Sequence, residues 1–191
     1  MEINIEKLSP MMQQYFSVKK KHRDHILFFR LGDFYEMFFD DAITASRELE
    51  LTLTGRDCGM EERAPMCGVP YHACDLYISR LIKKGYKVAI CEQVENPADA
   101  KGVVKREVIR VVTPGTLIES NMLAEDVNNY IACIFCGEQG WGLACADSST
   151  GQVSVCQFTA EETESLINEL GRYSPSEVIF NEGLLDKTRA T

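Results

Sequence analysis

No stretch of this chain approaches the roughly 20 consecutive apolar residues that a membrane-spanning helix requires. The N-terminus, Met1-Glu-Ile-Asn-Ile-Glu-Lys7, lacks the basic start and apolar run of a secretory leader, so a cytoplasmic protein is expected. No G-x-x-x-x-G-K-[ST] phosphate loop occurs, so nucleotide hydrolysis on such a loop is not expected of this chain. A basic surplus is missing too. The formal net charge is -9, which argues against a simple nucleic-acid coat. Internal repeats and low-complexity segments are absent.

What is present is an ordinary globular composition: 191 residues, 45% hydrophobic and 26% charged, enough for one or two domains with buried cores. Eight cysteines are many, but Cys91, Cys133, Cys145 and Cys156 lie inside apolar runs, where cysteine serves as a small hydrophobe. Cys133 and Cys136 have C-x-x-C spacing with no second pair. In a strand, positions i and i+3 face opposite sides, which is wrong for one shared metal. No metal site is expected. The charge is uneven: residues 1–120 carry 17 Lys+Arg against 18 Asp+Glu, and residues 121–191 carry 3 against 11. Basic character is therefore concentrated in the first part, with Lys19-Lys20-Lys21, Arg56, Arg63, Arg80, Lys83-Lys84, Lys101, Lys105-Arg106 and Arg110 among its side chains.

Local grammar predicts a mixed α/β chain. Ser9-Pro10 reads as a helix cap with proline at the first helical position, followed by Met11, Tyr15 and Val18 at helical spacing. Asp40-Asp41 opens a helix through Leu49, with acids where the helix dipole favours them. Leu51–Thr54 reads as a strand ending at Gly55, and residues 56–63 as a polar surface loop. Pro65–Pro70 is a short strand or turn. Cys74–Ile82 is a helix stopped at Gly85. Tyr86–Cys91 and Arg106–Val112 are strands, the second halting at Thr113-Pro114-Gly115. The expected limits are a first domain over 1–118, an acidic linker over 119–128 and a second domain over 129–191. In the second, Asn129–Cys136, Trp141–Asp147 and Gln152–Phe158 read as strands joined by turns, followed by a helix over Glu161–Gly171 and a strand over Ser176–Phe180. Three antiparallel strands, a helix and a strand begin a ribonuclease-H-like domain, here incomplete.

One stretch carries chemistry. Ile26-Leu-Phe-Phe29 is a buried strand, Gly32-Asp33 a turn, and Phe34-Tyr-Glu-Met-Phe-Phe39 the return. Strand parity puts Phe34 and Glu36 on one face, with Tyr35 and Met37 on the other. Unpaired acids are seldom buried. If Glu36 is outside, Phe34 is outside with it. A bare ring beside an acid suits a wedge that enters stacked bases and questions one of them.

Phe28-Phe-Arg-Leu-Gly-Asp-Phe-Tyr-Glu-Met-Phe-Phe-Asp-Asp-Ala42 closely resembles the signature of the MutS family of DNA mismatch-recognition proteins. Pro65-Met-Cys-Gly-Val-Pro-Tyr-His-Ala73, Val88-Ala-Ile-Cys-Glu-Gln93 and Arg110-Val-Val-Thr-Pro-Gly-Thr116 resemble it in the same order. Cys67 departs from the family, which usually has a smaller residue there. The resemblance implies a mixed-sheet mismatch-recognition domain followed by a truncated connector domain. It also implies that Phe34 stacks on a mispaired base from the minor groove and Glu36 hydrogen-bonds that base. Leu31 would pack beside the bases, and Arg56 would approach the DNA backbone. It further implies an N-terminal piece of a bacterial cytosolic or nucleoid protein. The full-length protein would be a dimeric ATPase using ATP and Mg, with mismatched or looped double-stranded DNA and a MutL-type partner. This stretch itself is expected to be neither an enzyme nor a cofactor binder.

Two other readings compete. A metal-dependent nuclease needs converging carboxylates. Asp147 is the one candidate at a strand end of the second domain, and no D-x-K or E-x-K pair falls in a strand of the first. An interaction module fits the acidic second part.

Overall fold

A computed structural model describes residues 5–96, 102–117 and 128–184. Residues 119–127 of the expected linker, and Lys101, lie outside that set. Contacts divide the chain into two units, Met1–Val112 and Thr113–Thr191.

The first unit runs α1 (Pro10–Lys19), β1 (His25–Leu31), β2 (Phe34–Phe38), α2 (Phe39–Leu49), β3 (Thr54–Arg56), β4 (Ala64–Pro70), α3 (Cys74–Lys83), β5 (Lys87–Gln93) and β6 (Arg106–Val112). Its sheet has the order β3-β4-β2-β1-β5-β6, parallel between β1 and β5 and antiparallel elsewhere. One face is covered by α1: Met12 and Tyr15 pack with Leu27, Phe29, Phe38 and Cys91. The other is lined by Tyr35 and Met37, opposite in parity. Cys67, register partner of Met37, points its thiol at the Ala42 carbonyl of α2. Burial pushes the Cys67 and Cys91 thiols up to about 12, as inert core groups.

Four local expectations need correction. Ser9 makes no side-chain cap bond. Its backbone N–H instead donates to the Cys58 carbonyl at 2.8 Å, tying the start of α1 to the segment after β3. The buried α1 residues are Met12 and Tyr15, while Met11 and Val18 are only partly covered. Leu51–Leu53 do not form a strand. Glu50 takes a left-handed conformation at φ 60 and the Leu51 N–H bonds back to Ser46, so these residues turn the chain away from α2. Pairing begins at Thr54, opposite Met66. Residues 56–63 are not wholly a surface loop, because Arg56 belongs to β3 and Cys58 is fully buried in the α1-side core.

One polar cluster ties α1, β1 and α2 together. Asp41 accepts from Lys19 Nζ at 2.8 Å through Oδ1, and from the Leu27 N–H at 3.0 Å and the Tyr15 hydroxyl at 3.3 Å through Oδ2. Lys19 Nζ also donates to the His25 carbonyl at 2.5 Å.

The second unit runs β7 (Tyr130–Gly137), β8 (Gly140–Asp147), β9 (Val153–Thr159), α4 (Thr163–Tyr173) and β10 (Glu177–Phe180). The sheet order is β10-β7-β8-β9, with β10 parallel to β7. This is the expected succession of three antiparallel strands, a helix and a strand. Leu166, Leu170 and Tyr173 of α4 cover Ala132, Ile134, Leu143 and Cys145 on one face. Cys133 and Cys136 lie on opposite faces, as spacing in a strand requires. The turn at Pro114–Thr116 packs with this unit, where Asn129 Nδ2 donates to the Pro114 carbonyl at 2.9 Å.

Candidate nucleic-acid interface

The β1–β2 hairpin closes with a two-residue turn. Gly32, at φ 59, supplies the left-handed backbone that an L side chain resists. Leu31 therefore pairs with Phe34, Arg30 with Tyr35 and Phe29 with Glu36. Directly opposed residues share a face. The face that α1 covers at Phe29 and Phe38 thus continues outward to Glu36, Leu31 and Phe34, where the covering helix runs out. Phe34 is 47% exposed and Tyr35 is 5% exposed. Phe135 and Phe180 in the second unit are exposed to a similar degree, so what distinguishes Phe34 is its place at a hairpin end, on one face with Leu31, Glu36 and Arg56.

β4 completes the surface. Pro70 pairs with Phe34 and Gly68 with Glu36. A Cβ at position 68 would sit 3.4 Å from Glu36 Cγ and 3.3 Å from the Tyr35 carbonyl, so glycine leaves room for the acid to lie across the strand. Arg56 in β3 pairs with Ala64, on the same face. Its Nη1 reaches Glu36 Oε2 at 2.5 Å. The Glu36 side chain is only 13% exposed and that of Arg56 is 37% exposed. The structure thus brings all four sequence-derived residues, Leu31, Phe34, Glu36 and Arg56, onto one face, and it joins two of them in an ion pair that the sequence did not reveal.

Behind this face lies a second group. Arg30 Nη1 pairs with Glu92 Oε1 at 3.1 Å, and the Tyr35 hydroxyl donates to the same oxygen. Burial and Glu92 together push the Tyr35 hydroxyl well above the usual phenol range, so it stays a donor. The Arg30 guanidinium lies 3.8 Å from the Tyr71 ring centroid. Sequence reasoning named none of Arg30, Tyr71 and Glu92. The signal for Arg30 was available, since a two-residue turn at Gly32-Asp33 sets it opposite the inward Tyr35.

The nuclease candidate is otherwise engaged. Asp147 is 1% exposed, and its Oδ1 accepts the Ser149 N–H at 2.9 Å and hydroxyl at 2.6 Å. These bonds hold its carboxyl below the usual aspartate range. It shapes the β8–β9 turn.

Fold and surface together define a two-unit mixed α/β protein whose first sheet bares an aromatic side chain at a hairpin end, with a paired acid beside it. A family model described as MutS domain I matches residues 9–121, and one described as MutS domain II matches residues 129–191. The chain belongs to the MutS family. Among its relatives, the "DNA mismatch repair protein MutS" of Acetivibrio thermocellus is 59% identical over 175 residues, covering 91% of this chain and 20% of the relative. The proteins of the same name from Ruminiclostridium cellulolyticum and Desulforamulus reducens are each 59% identical, over 178 and 179 residues, with 93% of this chain covered. The chain spans about a fifth of the length of these curated relatives.

Proposed function

We propose that this chain is the mismatch-reading segment of a longer DNA mismatch repair protein. The observation that carries the reading is the bare Phe34 ring at the end of an otherwise covered sheet face, with Leu31 and Glu36 beside it. A mismatch reader cannot depend on sequence, since any sequence can be mispaired. It has to sense how readily a step unstacks and kinks. An apolar wedge pushed into the minor groove converts that difference into binding energy. A flat ring accepts every base, and Phe34 carries no polar atom that insertion would strip of water.

Glu36 and Arg56 divide the remaining work. A carboxylate near phosphates is repelled, which penalises ordinary duplex DNA. The Arg56 guanidinium holds that carboxylate in place beside the ring. It also offers further N–H donors, in the fixed fork of arginine, to a backbone phosphate. A displaced base that presents an N–H to Glu36 offsets the repulsion, whereas a paired base does not. In the Glu36→Gln variant of the full-length protein, matched-duplex affinity is expected to rise and the mismatch-to-matched ratio to fall about three- to tenfold, equivalent to ~1 kcal/mol. Competition binding on one mispaired duplex and its matched counterpart measures both. An unchanged ratio contradicts the role given to Glu36.

The longer protein is proposed to act in the bacterial cytosol or nucleoid as a dimer, with a MutL-type partner. ATP and Mg would serve regions outside this chain. The residues present offer no phosphate loop, so no step here runs through nucleotide. No helix among the described residues is long and apolar enough to cross a membrane. The acidic second part, with 11 Asp+Glu against 3 Lys+Arg over residues 121–191, fits a surface for contact with protein better than with DNA.

A further inference from the structure

The wedge sits immediately after a turn that little holds by packing. A Cβ built on Gly32 would find nothing within 4 Å. The turn is instead held through its two carbonyls. Arg30 Nε donates to the Gly32 carbonyl at 2.5 Å, and the Tyr71 N–H donates to the Asp33 carbonyl at 2.9 Å. The same two residues are stacked on each other, guanidinium over ring at 3.8 Å. Arg30 is fixed in turn by Glu92 at 3.1 Å, and its own carbonyl receives Arg106 Nε at 2.7 Å. Its side chain is only 16% exposed. By register it lies opposite Tyr35, on the face away from Phe34, so it leaves the wedge surface clear.

We infer that Arg30, stacked on Tyr71, is a positioning residue for Phe34: it clamps the hairpin turn so that the ring is presented at one fixed angle. The inference rests on the wedge reading above and adds to it what aims the wedge. Binding that has to order a loose element loses affinity to that ordering, and preorganisation removes the loss. The loss falls only where the ring is inserted. A loosened turn should therefore weaken binding to a mispaired duplex and leave matched-duplex binding largely alone. Lysine can keep the ion pair with Glu92. It has no planar fork to serve Glu92 and the Gly32 carbonyl while lying flat on Tyr71.

The test uses the full-length protein with Arg30→Met, Arg30→Lys, Phe34→Ala and the double variant Arg30→Met/Phe34→Ala. Affinities for a mispaired and a matched duplex and the thermal midpoint are measured for each. In Arg30→Met, mispaired-duplex affinity is expected to fall about tenfold with matched affinity held within about twofold, within the range by which supporting networks modulate coupled sites. Arg30→Lys should fall between wild type and Arg30→Met even where its midpoint is unchanged. In the Phe34→Ala background, Arg30→Met should change the ratio no further. Equal losses on both duplexes, no loss, or an undiminished loss in the Phe34→Ala background would each overturn the clamp. If Arg30→Met does not fold, Tyr71→Leu removes the stacking partner and is held to the same outcomes. A Phe34→Ala ratio equal to wild type overturns the wedge reading itself. A Phe34→Ala effect without an Arg30→Met effect overturns only the clamp.

Discussion

Replacing Phe34 with alanine is expected to abolish most of the full-length protein's preference for mispaired DNA. Stacking of one base on an aromatic side chain contributes about 1–3 kcal/mol, or roughly 5- to 150-fold in affinity. That contribution exists only where a step can be opened. A matched step resists the wedge at a cost of a few kcal/mol, which cancels the stacking gain. The loss should therefore fall on the mispaired duplex, while matched-duplex affinity, set by phosphate contacts, stays nearly constant and keeps its salt dependence. Stability should change little, because Phe34 is 47% exposed and is not among the residues of the α1-side core. A variant with wild-type discrimination would show that the bare ring has another purpose.

The second large effect is on folding. Asp41 is 8% exposed and joins α1, β1 and α2 through Lys19, Leu27 and Tyr15. In Asp41→Ala, Lys19 loses its counter-ion and the Leu27 N–H its acceptor, at a cost of about 3–5 kcal/mol. Replacing both ionic partners, Lys19→Met with Asp41→Leu, should recover part of this. The Leu27 N–H then stays unpaired, at about 1–3 kcal/mol, and the His25 carbonyl loses its Lys19 donor. Burial raises the Asp41 carboxyl above the usual aspartate range, against the opposing pull of Lys19. Ionising it is therefore harder in the folded state, and wild-type stability should lose this contribution as pH rises from about 4 through the raised value. That slope should vanish in Asp41→Asn. Chemical denaturation of the first unit across pH measures both. An Asp41→Ala midpoint equal to wild type would mean the cluster contributes nothing to stability.

The hairpin was legible because two local rules agree: a two-residue turn fixes register, and alternation assigns faces. Together they put Phe34 and Glu36 on one face and Tyr35 and Met37 on the other. The exposure expected of Glu36 is not met, because pairing with Arg56 lets its side chain lie only 13% exposed. In the second unit, alternation and turn residues gave the strand succession with limits shifted by only one or two residues. The parallel addition of β10 beside β7 depends on tertiary packing of α4. The Glu36–Arg56 pair was not legible. Gly55 reads as a strand stop, so Arg56 fell into an expected loop, although β3 starts only at Thr54 and runs through it. Glu50 was equally silent, because a left-handed glutamate carries no sequence mark as glycine does. Non-local partners were what the sequence could not supply. Glu36 and Arg56 lie 20 residues apart, and Arg30 and Glu92 lie 62 apart.

The central claim is that the Phe34 ring enters the base stack at a mispair. Photo-crosslinking with p-azidophenylalanine in place of Phe34, in the full-length protein bound to a duplex with one mispair, tests it most directly. The expected result is a crosslink mapped to the mispaired base or its stacked neighbour, strongly reduced on the matched duplex. Crosslinks spread along the backbone, or equal on the two duplexes, would contradict it.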